Sequence, residues 1–250
     1  MNLVPDFQRS MPRLASVTRR VTEWPPLRAD NVVGNNPWSG DQADANMLRL
    51  VKLMAGRRKV RQGNTLFQEH DRFEAIYAVH SGSFKSTLTM ANGCEQVNNF
   101  HMVGDLLGLD GVADGRHASG ATALEDSDIS IVSYAHLCKL FANLAGMQHT
   151  VNRLISREVV RGNCHMRMLG GLNSAQRVAA FLLGQSRSFG ALGYSPTEFH
   201  LKMTRGDIGS FLGLTLETVS RMFSELQQQG LLRVERRHIV ITDLEGLGRV

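Results

Sequence analysis

Glu217, Ser220 and Arg221 bring a carboxylate, a hydroxyl and a guanidinium together at offsets of three and four residues, which on a helix means one face. A guanidinium can donate two parallel hydrogen bonds to O6 and N7 of guanine. A carboxylate can accept from the amino group of cytosine, and a hydroxyl can serve a base edge or a phosphate. The plainer reading of the triplet is a surface ion pair between Glu217 and Arg221, worth roughly 0.2–0.5 kcal/mol. Where the triplet stands in the fold decides between them.

The surrounding segment, MTRGDIGSFLGLTLETVSRMFSELQQQG over 203–230, reads as two short helices. Thr204 followed by Asp207 is a T-x-x-D capping arrangement, and Ile208, Phe211 and Leu212 form one apolar face behind it. Gly213 supplies the positive-φ residue that a sharp stop requires. Thr215 caps the next helix, Glu217 suits its positive end, and Val219, Met222, Phe223 and Leu226 form its buried stripe. This is the helix-turn-helix pattern, and base edges are read from the start of its second helix, so the position favours readout over the ion pair. The runs 231–234 and 238–241 around Glu235-Arg236-Arg237 predict a hairpin wing with a basic tip. Thr204, Arg205, Thr215, Thr218, Arg236 and Arg237 are the expected DNA-backbone contacts, which set orientation and affinity rather than sequence preference.

The rest of the chain must position that segment, and the expected fold is α+β. Residues 1–40 hold five of the six prolines and read as an irregular extension. Residues 41–135 read as one domain, a short helix with Met47, Leu50, Val51 and Met54, then short strands punctuated by glycines, a spacing that means a sandwich, barrel or jelly roll. Residues 136–170 read as one long helix in which Leu140, Leu144, Met147, Val151 and Leu154 step by four and three, a dimer seam. The alternative is a long helix packed on its own domain, for which one small barrel offers little cover. Past Ile155 the same face carries Glu158, Arg161 and His165, where the seam becomes polar. The DNA-binding domain spans 171–250, with a helix over 174–186 bearing Val178, Phe181 and Leu182, then a linker with Gly190, Gly193 and Pro196.

The 28 basic residues against 23 acidic ones leave a charge of +5, a mild lean toward a polyanion. No run approaches the roughly 20 apolar residues of a membrane span, and residues 1–20 lack the apolar core of a signal peptide, so a cytoplasmic protein is expected. Cys94, Cys138 and Cys164 are widely separated and form neither a disulfide framework nor a zinc site. No nucleotide-loop, zinc-protease or nucleophile-elbow motif occurs, so an enzyme is not expected. The competing class is a ligand-binding module that regulates a partner protein, which would have no need of the 217–221 triplet or the basic hairpin.

The stretches FHLKMTRGDIGSFLGLTLETVSR (199–221), GNTLF (63–67), YAVHSGSFKS (77–86) and FHMVGDLLGLD (100–110) resemble the Crp/FNR superfamily of bacterial regulators, FNR branch, over about 37–242. The resemblance implies a cyclic-nucleotide-binding-like barrel, a dimerisation helix and a winged helix-turn-helix. Its E-x-x-S-R pattern falls on Glu217, Ser220 and Arg221, implying a homodimer on a TTGAT-N4-ATCAA palindrome. It further implies RNA polymerase contact through barrel loops, here 90–95 and 114–122, with Gly93, Glu95 and Arg116 as contact positions.

The sequence departs from the family at the sensor. The first 93 residues hold no cysteine, and the barrel cysteine position falls on Ser130, so no iron–sulfur cluster is expected. The glutamate of the cyclic-phosphate cassette falls on Leu109 or Asp110, and its Arg-Ser pair falls near Ser119-Gly120, so cyclic AMP is not expected. Three sensor readings stay open. One is effector-free control, as in FixK-like regulators. Another is haem or a different small ligand, with His70, His80, His101 or His117 as ligands, and the third is thiol chemistry at Cys94, Cys138 or Cys164, of which Cys94 stands in a turn expected to be exposed.

Overall fold

The computed structural model describes residue 29, residues 56–143 and residues 147–250. Eight strands build the barrel: β1 (Gly56–Val60), β2 (Thr65–Phe67), β3 (Ala75–Ser81), β4 (Phe84–Thr89), β5 (Glu95–His101), β6 (Leu106–Leu107), β7 (Gly120–Ala123) and β8 (Ser127–Ser133). They form two antiparallel sheets, in the orders β1-β8-β3-β6 and β2-β7-β4-β5. Val60, Phe67, Val79, Phe84, Leu107, Ala121, Ala123 and Ile129 fill the space between the sheets. The outer face of the first sheet is covered as well: Ile76, Ala78 and Val132 pack with Leu137 of helix α1 (Tyr134–Asn143). Burial on both faces explains why Ala75-Ile76-Tyr77-Ala78-Val79 reads as a nearly continuous apolar run rather than an alternation.

After α1 come α2 (Met147–Gly171), α3 (Ser174–Ala191), β9 (Glu198–His200), α4 (Arg205–Leu212), α5 (Leu216–Gln228), β10 (Leu232–Glu235), β11 (His238–Ile241) and α6 (Leu244–Arg249). Asn173 and Gln176 cap α3 reciprocally. The cluster around Val178, Phe181, Ile208, Leu212, Val219, Phe223 and Ile239 also takes in Val97, Phe100 and Leu124 of the barrel. Barrel and DNA-binding domain therefore share apolar packing. Arg177 adds a polar tie: its guanidinium donates to the carbonyls of Leu169 (2.7 Å), Leu172 (2.9 Å) and Leu212 (3.0 Å), at the C-terminal ends of α2 and α4.

Several expectations are corrected. The linker after residue 186 is shorter than expected, because α3 runs through Ala191 and 198–200 pair with β11 as a third strand of the wing sheet. Three residues carry too little pattern to announce a strand; the partner creates it. Beyond Ile155 an exposed apolar row continues along helix α2. Ile155, Val159, Val160 and Met166 are exposed, while Glu158, Arg161 and His165 turn inward to other groups. The expected extension over 1–40 lies outside the described residues except for Ala29, which is helical and buried. The helix expected over 41–56 lies outside them too, up to Gly56, which opens β1. Of the expected seam, Leu144 lies outside the described residues. Leu140, Met147, Val151 and Leu154 lie on helical backbone, and their side chains are outside the description.

Candidate nucleic-acid interface

Helix α4 begins as its sequence dictates. Thr204 Oγ1 accepts from the Asp207 amide at 3.0 Å, and Asp207 Oδ2 accepts from the Thr204 amide at 2.8 Å. Gly213 ends it at φ 64°. Gly209 serves the same turn by a route invisible in the sequence: a Cβ there would sit 2.6 Å from the Leu214 carbonyl oxygen, so only glycine lets α4 approach the turn this closely. Thr215 caps α5, accepting from the Thr218 amide at 3.2 Å.

Helix α5 buries Val219, Met222, Phe223 and Leu226 and leaves Glu217, Ser220 and Arg221 exposed. Glu217 and Arg221 are not the ion pair that spacing alone allowed. Arg221 Nε lies 3.7 Å from Glu225 Oε1, with the two side chains 67% and 45% exposed. The Glu217 carboxyl is held below its ordinary range by its own amide and by Thr215, so it stays ionised at the helix N-terminus. An anionic acceptor, a hydroxyl and a weakly held guanidinium thus face outward together from the first two turns of α5.

The hairpin closes against this helix. The Val234 amide donates to Gln227 Oε1 at 2.9 Å, and the turn places Arg236 at φ 56° with Arg236 and Arg237 exposed. Arg205 behaves unlike a free phosphate contact. Its guanidinium lies 3.5 Å from the Phe223 ring centroid, and Nη2 donates to the Arg236 carbonyl at 3.2 Å. Burial pulls its pKa down to about 10, and Nη1 is buried without a partner. It braces α4, α5 and the wing turn as one unit.

The sensor half shows what its seats hold. Asp110 Oδ2 accepts from both the amide and the hydroxyl of Ser119, each at 2.8 Å. His117 is buried, stacked on Phe67 at 3.8 Å and 3.4 Å from Asp110 Oδ1. His80 bonds buried Ser130, His101 is buried against Ser86 at 2.8 Å, and His70 is exposed. Among the described residues no group of three or more His, Cys, Asp or Glu side chains is arranged to hold a metal. Cys94 and Cys138 are exposed, and burial pushes the Cys164 thiol up. Gly93, Glu95 and Arg116 all lie exposed on barrel loops or strand ends.

A winged helix-turn-helix with a polar outward face, joined by a long helix to a jelly-roll barrel, defines a DNA-binding regulator with a sensor-type domain. A model of the Crp-like helix-turn-helix domain matches residues 176–250, and one of the cyclic nucleotide-binding domain matches residues 57–143. The chain is 42% identical over 199 residues to the transcriptional regulatory protein btr of Bordetella pertussis, covering 80% of this chain and 82% of that protein. It is 36% identical over 202 residues to the fumarate and nitrate reduction regulatory protein of Escherichia coli strain K12, covering 81% of each. FixK2 from Bradyrhizobium japonicum, a solved structure, superposes with a TM-score of 0.72 at 31% identity, over 78% of this chain and 96% of that one. The chain belongs to the Crp/FNR family: it is a DNA-binding transcription regulator, not an enzyme. No helix among the described residues is long and apolar enough to cross a membrane.

Proposed function

We propose that two copies of this chain pair through α2 and read a palindrome of the TTGAT-N4-ATCAA kind, one recognition helix in each of two successive major grooves. The observation that carries this reading is the exposed Glu217, Ser220 and Arg221 face at the start of α5. Thr204, Thr215, Thr218, Arg236 and Arg237 ring that face as phosphate contacts, with Arg205 shaping the unit behind them. For the dimer, Ile155, Val159 and Met166 expose 49%, 57% and 65% of their surfaces. With Gly162, where a Cβ would meet nothing within 4 Å, they step by four, three and four along α2, the spacing of a two-helix seam. Apolar groups in such a row favour cover by an equivalent helix.

The regulator works without an iron–sulfur cluster of its own, since three cysteines on separate elements do not make a four-thiolate site. It works without cyclic AMP, since Asp110 occupies the Ser119 donors. Its control is by abundance, its compartment is the cytoplasm, and Gly93, Glu95 and Arg116 offer RNA polymerase a contact surface. A second reading, a small effector, is favoured by one feature. A cavity of about 350 Å³ between barrel and α2 is lined by Ser86, Asn98, His101, Ser119 and Glu158, and buried Asn98 Oδ1 and His101 Nδ1 have no partner.

The deciding measurement is equilibrium binding of purified protein to the palindrome and to a scrambled duplex at physiological salt. A preference of 10³-fold or more, about 4 kcal/mol, is expected. Equal affinities refute the reading. Substituting Glu95 and Arg116 is expected to abolish activation in a transcription assay and spare DNA binding; unchanged activation removes the polymerase surface.

A further inference from the structure

Strand β5 is one of the two edges of the sheet β2-β7-β4-β5, and an edge leaves backbone donors that something must meet. At Val97 the DNA-binding domain meets one: the Val97 amide donates to Ser210 Oγ of α4 at 2.8 Å. One strand further in, Lys85 of β4 reaches the same helix, with Nζ 2.7 Å from Asp207 Oδ1 and side-chain exposures of only 22% and 12%. The Asp207 carboxylate therefore works twice. Oδ2 caps α4 through Thr204, while Oδ1 receives the ammonium of a residue 122 positions away in sequence. Phe100 packs its ring against Phe211 of α4 and Phe181 of α3, with centroids 5.2 and 6.0 Å away. The dimer helix joins the same assembly from the other side. His165 Nε2 bonds the Phe211 carbonyl at 2.7 Å, and Arg161 Nη2 lies 2.6 Å from Asp105 Oδ1 of the barrel.

We propose that Lys85 is a positioning residue for operator reading: through Asp207, with Ser210 on Val97, it clamps the helix-turn-helix to the barrel and thereby sets the spacing of the two recognition helices. The inference rests on the dimeric operator reading above. A palindrome demands that two recognition helices stand about one helical turn of DNA apart, roughly 34 Å. Each recognition helix is carried by α4, and α4 is held to the barrel by this clamp and to α2 by His165. The Lys85 pair is well enough shielded to hold a geometry, and methionine keeps a comparable unbranched apolar stem without the charge. Loss of the charge frees the domain to rotate on its apolar contacts without removing any group that touches a base.

The test uses full-length Lys85→Met, with Lys85→Arg as the conservative variant and Ser210→Ala as a second route to the same contact. Without DNA, the Val97 amide is expected to exchange at least several-fold faster in Lys85→Met and Ser210→Ala, and to return toward wild type in Lys85→Arg. With DNA, Lys85→Met is expected to bind the four-base-pair-spacer palindrome roughly ten-fold more weakly, about 1.4 kcal/mol. Its preference over five- and six-base-pair spacers is expected to shrink, while its base preference within a half-site stays as in wild type. Faster exchange with an unchanged spacer preference overturns the positioning role, and so does unchanged exchange. Wild-type protein without any operator preference overturns the operator reading and the positioning role together, while faster exchange in the variants still marks the clamp.

Discussion

Replacing Arg221 by alanine isolates the readout from everything that holds the fold. Among the described residues Arg221 makes an ion pair to Glu225 at 3.7 Å, with both side chains largely in solvent, and such pairs contribute about 0–1 kcal/mol. The residue also lies opposite the buried stripe of Val219, Met222, Phe223 and Leu226, so its loss opens no cavity. The melting temperature is expected to stay within a degree or two. Binding is another matter. A bidentate arginine–guanine contact discriminates by about 1–3 kcal/mol. Two half-sites in one dimer double that to about 2–6 kcal/mol, roughly 30-fold to 10⁴-fold in affinity. Fluorescence anisotropy against the palindrome and its single-base variants, at several salt concentrations, measures both size and kind. A base-contacting arginine relaxes preference at one position and leaves the slope of log K against log salt nearly unchanged, whereas Arg236→Ala lowers that slope by about one per subunit without changing preference. If Arg221→Ala alters only the salt slope, or neither affinity nor preference, the assignment of this face to base reading is wrong.

Arg177→Met removes three charge-assisted bonds to helix-end carbonyls and is expected to cost about 3 kcal/mol, with a fall in Tm of roughly 6–12 °C. Lysine is not expected to rescue it, because one ammonium cannot fork to three carbonyls, and an unchanged melt would refute the clasp. Burial holds the His101 imidazole down to about 4, and burial lowers His165 as well. Between pH 6.5 and 4 the unfolded chain takes up a proton that folded His101 refuses. Stability is therefore expected to fall as pH drops through that window, by at most about 3 kcal/mol from this residue. His101→Gln should flatten that limb of a denaturation series, and parallel wild-type and variant curves would count against the assignment. Val159→Glu puts a charge in the middle of the exposed α2 stripe and is expected to give monomers by analytical ultracentrifugation and at least ten-fold weaker operator binding; a persistent dimer would place the interface elsewhere.

The helix-turn-helix was legible because its rules are local. A cap and its box lie three residues apart, a positive-φ glycine sits at the turn, and an apolar stripe at 3.6 spacing leaves the opposite face for chemistry: Thr204, Asp207, Gly213, Thr215 and Glu217 each act where the sequence placed them. The wing was legible for the same reason, down to the basic turn. What the sequence misread or left open, a partner decides. Residues 198–200 are a strand because β11 lies beside them, and Arg221 chose Glu225 over Glu217, since side chains four apart run both ways along a helix.

Local spacing and charge told the class of partner and which residue types α5 leaves exposed opposite its buried stripe, because caps, turns and helical periodicity are settled within a few residues. Tertiary packing alone decided which way α2 turns its apolar side past Ile155, which guanidinium is spent as a brace, and that Lys85 and Asp207 meet across 122 positions of chain. Contacts of that kind depend on how two domains settle against each other, and a lysine on a strand looks the same in sequence whether it faces water or a carboxylate.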